Sequence, residues 1–184
     1  MLKKIVIIGP ESTGKSTLSE QLARHYETIW CPEFAREYLL TNGTNYDYND
    51  LLTIAKGQVA LEDEYAWRLE ARCLPMLEEG GHLPFIIDTD MYVMKVWCEF
   101  VFGRCHRFIL EQIATREYDL YLLCNVDLPW SADELREYPE IETRKKLYAI
   151  YKDILINQRR PWVEIGGSYE ERLANAIRAI DKVV

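Results

Sequence analysis

The chain has 184 residues, 48% of them hydrophobic and 28% charged, with a formal net charge of -8. That length sustains one sizeable core and falls short of two comfortable domains, so residues 1–184 are expected to form a single domain. The acidic balance offers no footprint for a phosphate backbone, no stretch approaches the roughly 18 apolar residues of a membrane span, and no Ser/Gly/Pro tract suggests a linker. The expectation is therefore a globular cytoplasmic protein without nucleic-acid or membrane partners.

Short β-branched or aromatic runs alternate with longer helical patterns, the mark of βαβ units around a parallel sheet. The first run, Lys4–Ile8, begins on the second of the two lysines at positions 3 and 4, and its apolar part is too short for an export signal. It leads directly into Gly9-Pro10-Glu11-Ser12-Thr13-Gly14-Lys15-Ser16, which fits G-x-x-x-x-G-K-[ST], and Thr17 carries on into a helical pattern over Ser16–Tyr26 with Leu18, Leu22 and Tyr26 on one face. Glycines let such a loop curl so that its N–H groups converge on phosphates, and the following helix adds the positive end of its dipole. Lys15 is expected to reach the β- and γ-phosphates of ATP and Ser16 to ligate Mg²⁺. A glycine-rich turn that binds nothing is the competing reading; the strand, loop and helix in the required order argue against it.

A second strand is predicted over Ile29–Glu33, ending in Glu33-Phe34-Ala35-Arg36-Glu37. A carboxylate and a guanidinium three residues apart at a sheet's carboxyl edge suit the hydroxyl and a polar group of a phosphoryl acceptor; the alternative is a helix-start acid with an exposed ion pair. A long helix follows over Asn49–Glu79, with Leu52, Ala55, Val59, Ala66 and Leu69 at helical spacing. The third strand, Pro84–Asp88, ends in Asp88-Thr89-Asp90. Asp88 is suited to hold Mg²⁺ or to accept the acceptor's hydroxyl proton, and Asp90 either binds substrate or caps the next helix.

Two further helices are expected over Met91–Phe102 and Phe108–Thr115, then a fourth strand over Asp119–Cys124. After it, Asp127-Leu128-Pro129-Trp130 turns into a short polar helix carrying Arg136. Residues 127–139 read as a mobile lid that brings Arg136 over the transferring phosphoryl group, with Arg144, Arg159 and Arg160 as poorer candidates and a solvated charged helix as the alternative. Asn125-Val126-Asp127 only partly echoes the guanine-reading Asn-Lys-x-Asp. A fifth strand, Trp162–Ile165, precedes a last helix whose capping box is Ser168 and Glu171 and whose apolar face is Leu173, Ile177, Ile180 and Val184. No internal repeat is visible. The five cysteines lack CxxC spacing and read as reduced thiols, and no structural metal is expected.

These residues describe an ATP-dependent small-molecule kinase: Lys15, Asp88, Glu33 and Arg136 catalytic, Gly9 to Thr17 around the nucleotide, Glu33, Arg36 and Asp90 on the acceptor, Ser16 and Asp88 on Mg²⁺. A regulatory or non-catalytic P-loop ATPase, acting as a nucleotide-dependent interaction module, is the alternative. The oligomeric state and the identity of the general base are open.

The P-loop, Glu33-x-x-Arg36-Glu37, Asp88-Thr89-Asp90, Trp130-x-x-Asp133-x-Leu135-Arg136 and Glu164-Ile165…Ser168-Tyr169, in this order over essentially the whole chain, resemble the NadR-type ribosylnicotinamide kinase domains. The resemblance implies a three-layer, nucleoside-kinase-like P-loop fold: a five-stranded parallel sheet of order 2-3-1-4-5, helices on both faces and a helical lid. It also implies phosphorylation of nicotinamide riboside by ATP to nicotinamide mononucleotide. Such domains usually follow an adenylyltransferase domain; with the first strand opening so early, adenylyl transfer is not expected of this chain. The family is expected to hold its pyridine ring between two aromatic side chains. The matching positions are Pro32, with Trp30 two residues upstream, and a place on the long helix near Asp63, flanked by Tyr65 and Trp67.

Overall fold

Val6 and Ile8 of the first strand point to one side of the sheet, Ile5 and Ile7 to the other, and all four are fully buried. A strand apolar on both faces belongs in the middle of a sheet covered on both sides. In the computed structural model, which describes residues 1–184 apart from the side chains of 76–78, this strand is β1 (Leu2–Ile8). Around it stand β2 (Trp30–Cys31), β3 (Leu83–Asp88), β4 (Leu120–Cys124) and β5 (Trp162–Ile165), all parallel, in the order β2-β3-β1-β4-β5. This is the sheet order that the sequence resemblance implies.

One face is covered by α1 (Lys15–His25) and α7 (Tyr169–Ile180), where Leu18, Leu22, Ala176 and Ile180 pack on Ile5, Ile7 and Leu122. The other is covered by α3 (Tyr48–Glu78), α4 (Met91–Phe102) and α6 (Ile141–Asn157), through Leu69, Val93, Leu147, Tyr151 and Leu155. A third cluster, around Leu51, Ile54, Met94 and Ile109, ties α2 (Phe34–Asn42), α3, α4 and α5 (Arg107–Thr115) together. Among the described residues no helix is long and apolar enough to cross a membrane.

The elements depart from the sequence expectation at identifiable places. The second strand is confined to Trp30–Cys31, because Pro32 has no N–H for the ladder and Glu33 already stands at the N-cap of α2. Helix α6 was not anticipated, and α2 is the helix start that stood as the alternative reading of Glu33. Only Ala35 and Leu39 of α2 are buried, a weak stripe, whereas in α6 the signal at Leu147, Tyr151 and Leu155 is diluted by charged neighbours. The helical lid is corrected as well: residues 127–139 contain no helix, only a turn at Glu134–Leu135. Asp133 accounts for it. Its carboxylate accepts from Leu135 N at 3.1 Å and its carbonyl from Arg136 N at 3.2 Å, a local arrangement that competes with helix between the bracketing Pro129 and Pro139.

Because every strand is parallel, their carboxyl ends share one edge, and Gly9, Pro32, Asp88, Asn125 and Gly166 all lie just at or beyond it. In an open α/β sheet this edge is where ligands bind.

Candidate active site

The loop after β1 owes its shape to two glycines. A Cβ on Gly9 (φ 144) would sit 2.7 Å from the Cys124 carbonyl oxygen, so only glycine lets the loop pass the end of β4 this closely. Gly14 (φ 77) takes the left-handed conformation at the N-cap of α1 and leaves the helix N–H groups free to face a ligand. Ser12 is also left-handed (φ 54), a conformation that is costly for a non-glycine residue. Internal bonds hold the loop: the Thr13 hydroxyl donates to the Pro10 carbonyl at 2.7 Å, and Lys15 Nζ to the same carbonyl at 3.0 Å.

Two buried arginines brace the loop from the core side. Arg172 of α7 donates to the carbonyls of Thr13 (2.9 Å), Asn125 (3.0 Å) and Gly167 (2.9 Å) and pairs with Asp127. Arg144 of α6 donates to the Ser12 carbonyl at 3.0 Å and lies over the Trp130 ring. Sequence reasoning had set Arg144 aside and passed over Arg172. Both carried a legible signal: each is an arginine on the core-facing stripe of its helix, Arg172 with Ala176, Ala179 and Ile180, Arg144 with Leu147, Tyr151 and Leu155.

A cavity of about 610 Å³ opens over this loop. It is lined by Gly9 through Thr17, passes Asp88 and Glu33, and continues into a compartment walled by Tyr46, Trp97 and Phe100, while Trp30 borders the cavity from the side of α1 and α7. The expected residues Lys15, Ser16, Glu33, Arg36, Asp88 and Arg136 all line this one space. Asp88, at the end of β3, is fully buried, and neither carboxylate oxygen has a hydrogen-bond partner among the described residues. Burial, and after it the charge of Glu33, push its pKa up to about 6 against the pull of Lys15 and of the neighbouring Ser16 and Thr89 hydroxyls. The next residue, Thr89, is a β-branched side chain at φ 79 with its hydroxyl also unpartnered, and strain of that kind gathers at functional sites. An orphaned buried carboxylate beside the Ser16 hydroxyl supplies hard oxygen donors, the set a Mg²⁺ ion takes.

Asp90, expected on the acceptor, stands outside the cavity. Its side chain caps α4, accepting from Tyr92 N (2.9 Å) and Val93 N (3.4 Å), and its second oxygen accepts from the Tyr121 hydroxyl at 3.0 Å. Its carboxylate is thus committed to the helix cap and to Tyr121. Burial raises its pKa to about 7.

The strap at 131–138 lies against the P-loop. Ser131 N donates to Ser12 Oγ at 3.0 Å, Arg136 donates to Ser12 Oγ at 3.4 Å and to the Ser131 carbonyl, and the N–H groups of Glu137 (3.0 Å) and Tyr138 donate to the Glu11 carboxylate. Burial raises the pKa of Glu11, and these two backbone donors oppose the rise. Arg36 fastens the strap to α2 through Asp133, at 3.0 and 3.3 Å. Of the expected aromatic positions, Trp30 and Pro32 line the cavity, but Asp63, Tyr65 and Trp67 do not. Asp63 pairs with Arg116, and Trp67 is 68% exposed. That part of α3 lies at the opposite edge of the sheet, where its neighbour Glu62 bonds Lys4 and Tyr118 near the amino ends of β1 and β4. The other rings that line the cavity belong to α4, as Trp97 and Phe100, and to the loop before α3, as Tyr46.

The chain is 25% identical over 188 residues to the trifunctional NAD biosynthesis/regulator protein NadR of Escherichia coli (strain K12), and equally to that of Salmonella typhimurium (strain LT2). These alignments cover 100% of this chain and 43% of each relative, so the chain spans less than half the length of the curated relatives it matches. Among solved structures, a NadR protein in complex with NR superposes with a TM-score of 0.68 at 22% identity, covering 98% of this chain and 49% of that one. A NadR protein in complex with NAD and AMP-PNP gives 0.65 at 22%, with the same coverage. Thymidylate kinase from Ehrlichia chaffeensis gives 0.60 at 16%, covering 97% of this chain and 98% of its own. With the AAA-domain family model matching residues 4–172, and with the strand, P-loop and helix of that match standing as described above, the chain belongs to the AAA-domain family and has a NadR-type, nucleoside-kinase-like P-loop fold.

Proposed function

We propose that this protein is an ATP-dependent kinase that transfers the γ-phosphoryl group to a hydroxyl of nicotinamide riboside, giving nicotinamide mononucleotide. The observation that carries the reading is Asp88: a fully buried carboxylate with no partner within hydrogen-bond distance among the described residues, on the wall of one cavity lined by both the P-loop and an aromatic compartment. A nucleotide-dependent switch needs the first end and has no use for the second. One NadR structure is in complex with NR and another with NAD and AMP-PNP, which supports a nucleoside and an ATP analogue as ligands.

In this reading the loop N–H groups and Lys15 bind the phosphates, and Ser16 and Asp88 hold Mg²⁺, which would neutralise charge on the phosphate oxygens. Glu33 orients the acceptor hydroxyl and takes its proton, while Arg36, clamped by Asp133, keeps the strap and α2 together around the acceptor. Arg136, already 3.4 Å from Ser12 Oγ, brings positive charge to the loop where negative charge develops. The test is ADP release with ATP and Mg²⁺, with and without nicotinamide riboside, with the product identified by mass spectrometry. The expected result is acceptor-dependent ADP release matched by nicotinamide mononucleotide. ADP release at the same rate without acceptor would overturn the kinase reading in favour of a regulatory ATPase.

A further inference from the structure

The acceptor end of the cavity combines aromatic faces with carboxylates. Trp97 Nε1 donates to the Tyr46 hydroxyl at 2.9 Å, and that hydroxyl donates to Glu137 Oε2 at 2.9 Å, while the two rings meet edge to face with centroids 5.0 Å apart. This chain of bonds fixes the Glu137 carboxylate at the mouth of the aromatic compartment, where Glu137 also lines the cavity. Phe100 and Tyr138 extend the wall, their rings T-shaped at 5.4 Å. Two arginines that line the cavity are committed elsewhere, Arg36 to Asp133 and Arg136 to Ser12 and Ser131, while Lys146 lies over the Phe100 ring, 5.6 Å from its centroid.

We propose that Glu137 is a specificity-determining residue that selects an acceptor whose ring carries a positive charge, an N-substituted pyridinium, over a neutral ring of the same size. The inference rests on the kinase reading for what the compartment is for. A pyridinium gains from the electron-rich ring faces and from the anchored carboxylate; a neutral base gains neither. Tyr46 acts as a positioning residue, since it touches the carboxylate and holds it in place.

Two probes separate this inference from the kinase reading, because neither needs phosphoryl transfer: 1-methylnicotinamide, a pyridinium cation, and nicotinamide, its neutral counterpart. Their binding is measured by quenching of tryptophan fluorescence in wild type, Glu137→Gln and Tyr46→Phe. Glu137 is exposed, so its glutamine variant is expected to fold. The wild type is expected to prefer the cation about tenfold; Glu137→Gln loses that preference by weakening the cation alone, and Tyr46→Phe falls between. In the kinase assay the same loss appears in the KM for nicotinamide riboside more than in kcat. No preference in the wild type, or a full preference retained in Glu137→Gln, would overturn the inference. A Glu137-dependent preference in a protein that fails to phosphorylate nicotinamide riboside supports the inference and overturns the kinase reading alone.

Discussion

Replacing Asp88 by asparagine should make the protein more stable at neutral pH while removing its activity with every acceptor. The ordinary pKa of this carboxyl is 3.8, and in the fold it stands at about 6, chiefly through burial. A raised acid pKa means that the fold favours the protonated form. The stabilisation is fully present below about pH 3.8, is lost as pH rises through about 6, and above that the fold carries a buried charge. At ~1.4 kcal/mol for each pH unit, the interval corresponds to at most about 3 kcal/mol. Asparagine is neutral throughout, so variant and wild type should be equally stable near pH 4, and the variant should lead by up to about 3 kcal/mol at pH 7. For a chain of this length that is roughly 6–12 °C in Tm. Thermal unfolding of both proteins from pH 4 to pH 8 measures the difference, and adding Mg²⁺ with an ATP analogue should narrow or reverse it, because only the wild type then gains from metal binding. Parallel pH curves, or a variant less stable than wild type at pH 7, would refute the picture of Asp88 as an unpaired buried acid.

Glu33→Gln should reduce kcat/KM to an extent that varies with the acceptor, in contrast to the uniform loss in Asp88→Asn; equal losses across a panel of nucleosides would count against this division of labour. Lys15→Ala should lower kcat by about 10³-fold with little change in Tm, since among the described residues the Lys15 amine bonds only the Pro10 carbonyl; steady-state kinetics beside thermal unfolding decide it. Arg172→Ala should cost about 3–5 kcal/mol in urea unfolding, because it strips three carbonyls and Asp127 of a buried partner, and a loss below about 1 kcal/mol would contradict the bracing role. Hydrogen exchange of residues 127–139 should slow when an ATP analogue binds, and Arg136→Ala should act on kcat more than on ATP affinity; unchanged protection together with unchanged kcat would leave the strap without a catalytic part.

Local chemistry was legible without coordinates. The P-loop could be read because its requirements lie within eight consecutive residues: glycines at positions of positive φ, then a lysine and a serine at the helix start. The central place of β1 was implied by the resemblance of the motifs, and the burial of Ile5, Val6, Ile7 and Ile8 on both faces of the sheet accords with it. Asp90 marks the boundary. Its capping bonds run only two and three residues along the chain and were weighed as an alternative, but the Tyr121 hydroxyl that occupies its other oxygen is 31 residues away. The strap's lack of helix also turned on Asp133, whose bonds to Leu135 and Arg136 are local and whose bond to Arg36 crosses 97 residues.

Only the tertiary structure decided which rings line the cavity. Tyr46 and Trp97 meet across 51 residues, and Tyr46 and Glu137 across 91, once α4 packs beside the loop before α3 and the strap folds over both. Helical spacing gives the face a residue occupies relative to its own helix, but not which end of the sheet that stretch of helix overlies. For that reason Trp67, on the long helix where the resemblance pointed, lies exposed at the far edge, while Trp97 lines the cavity.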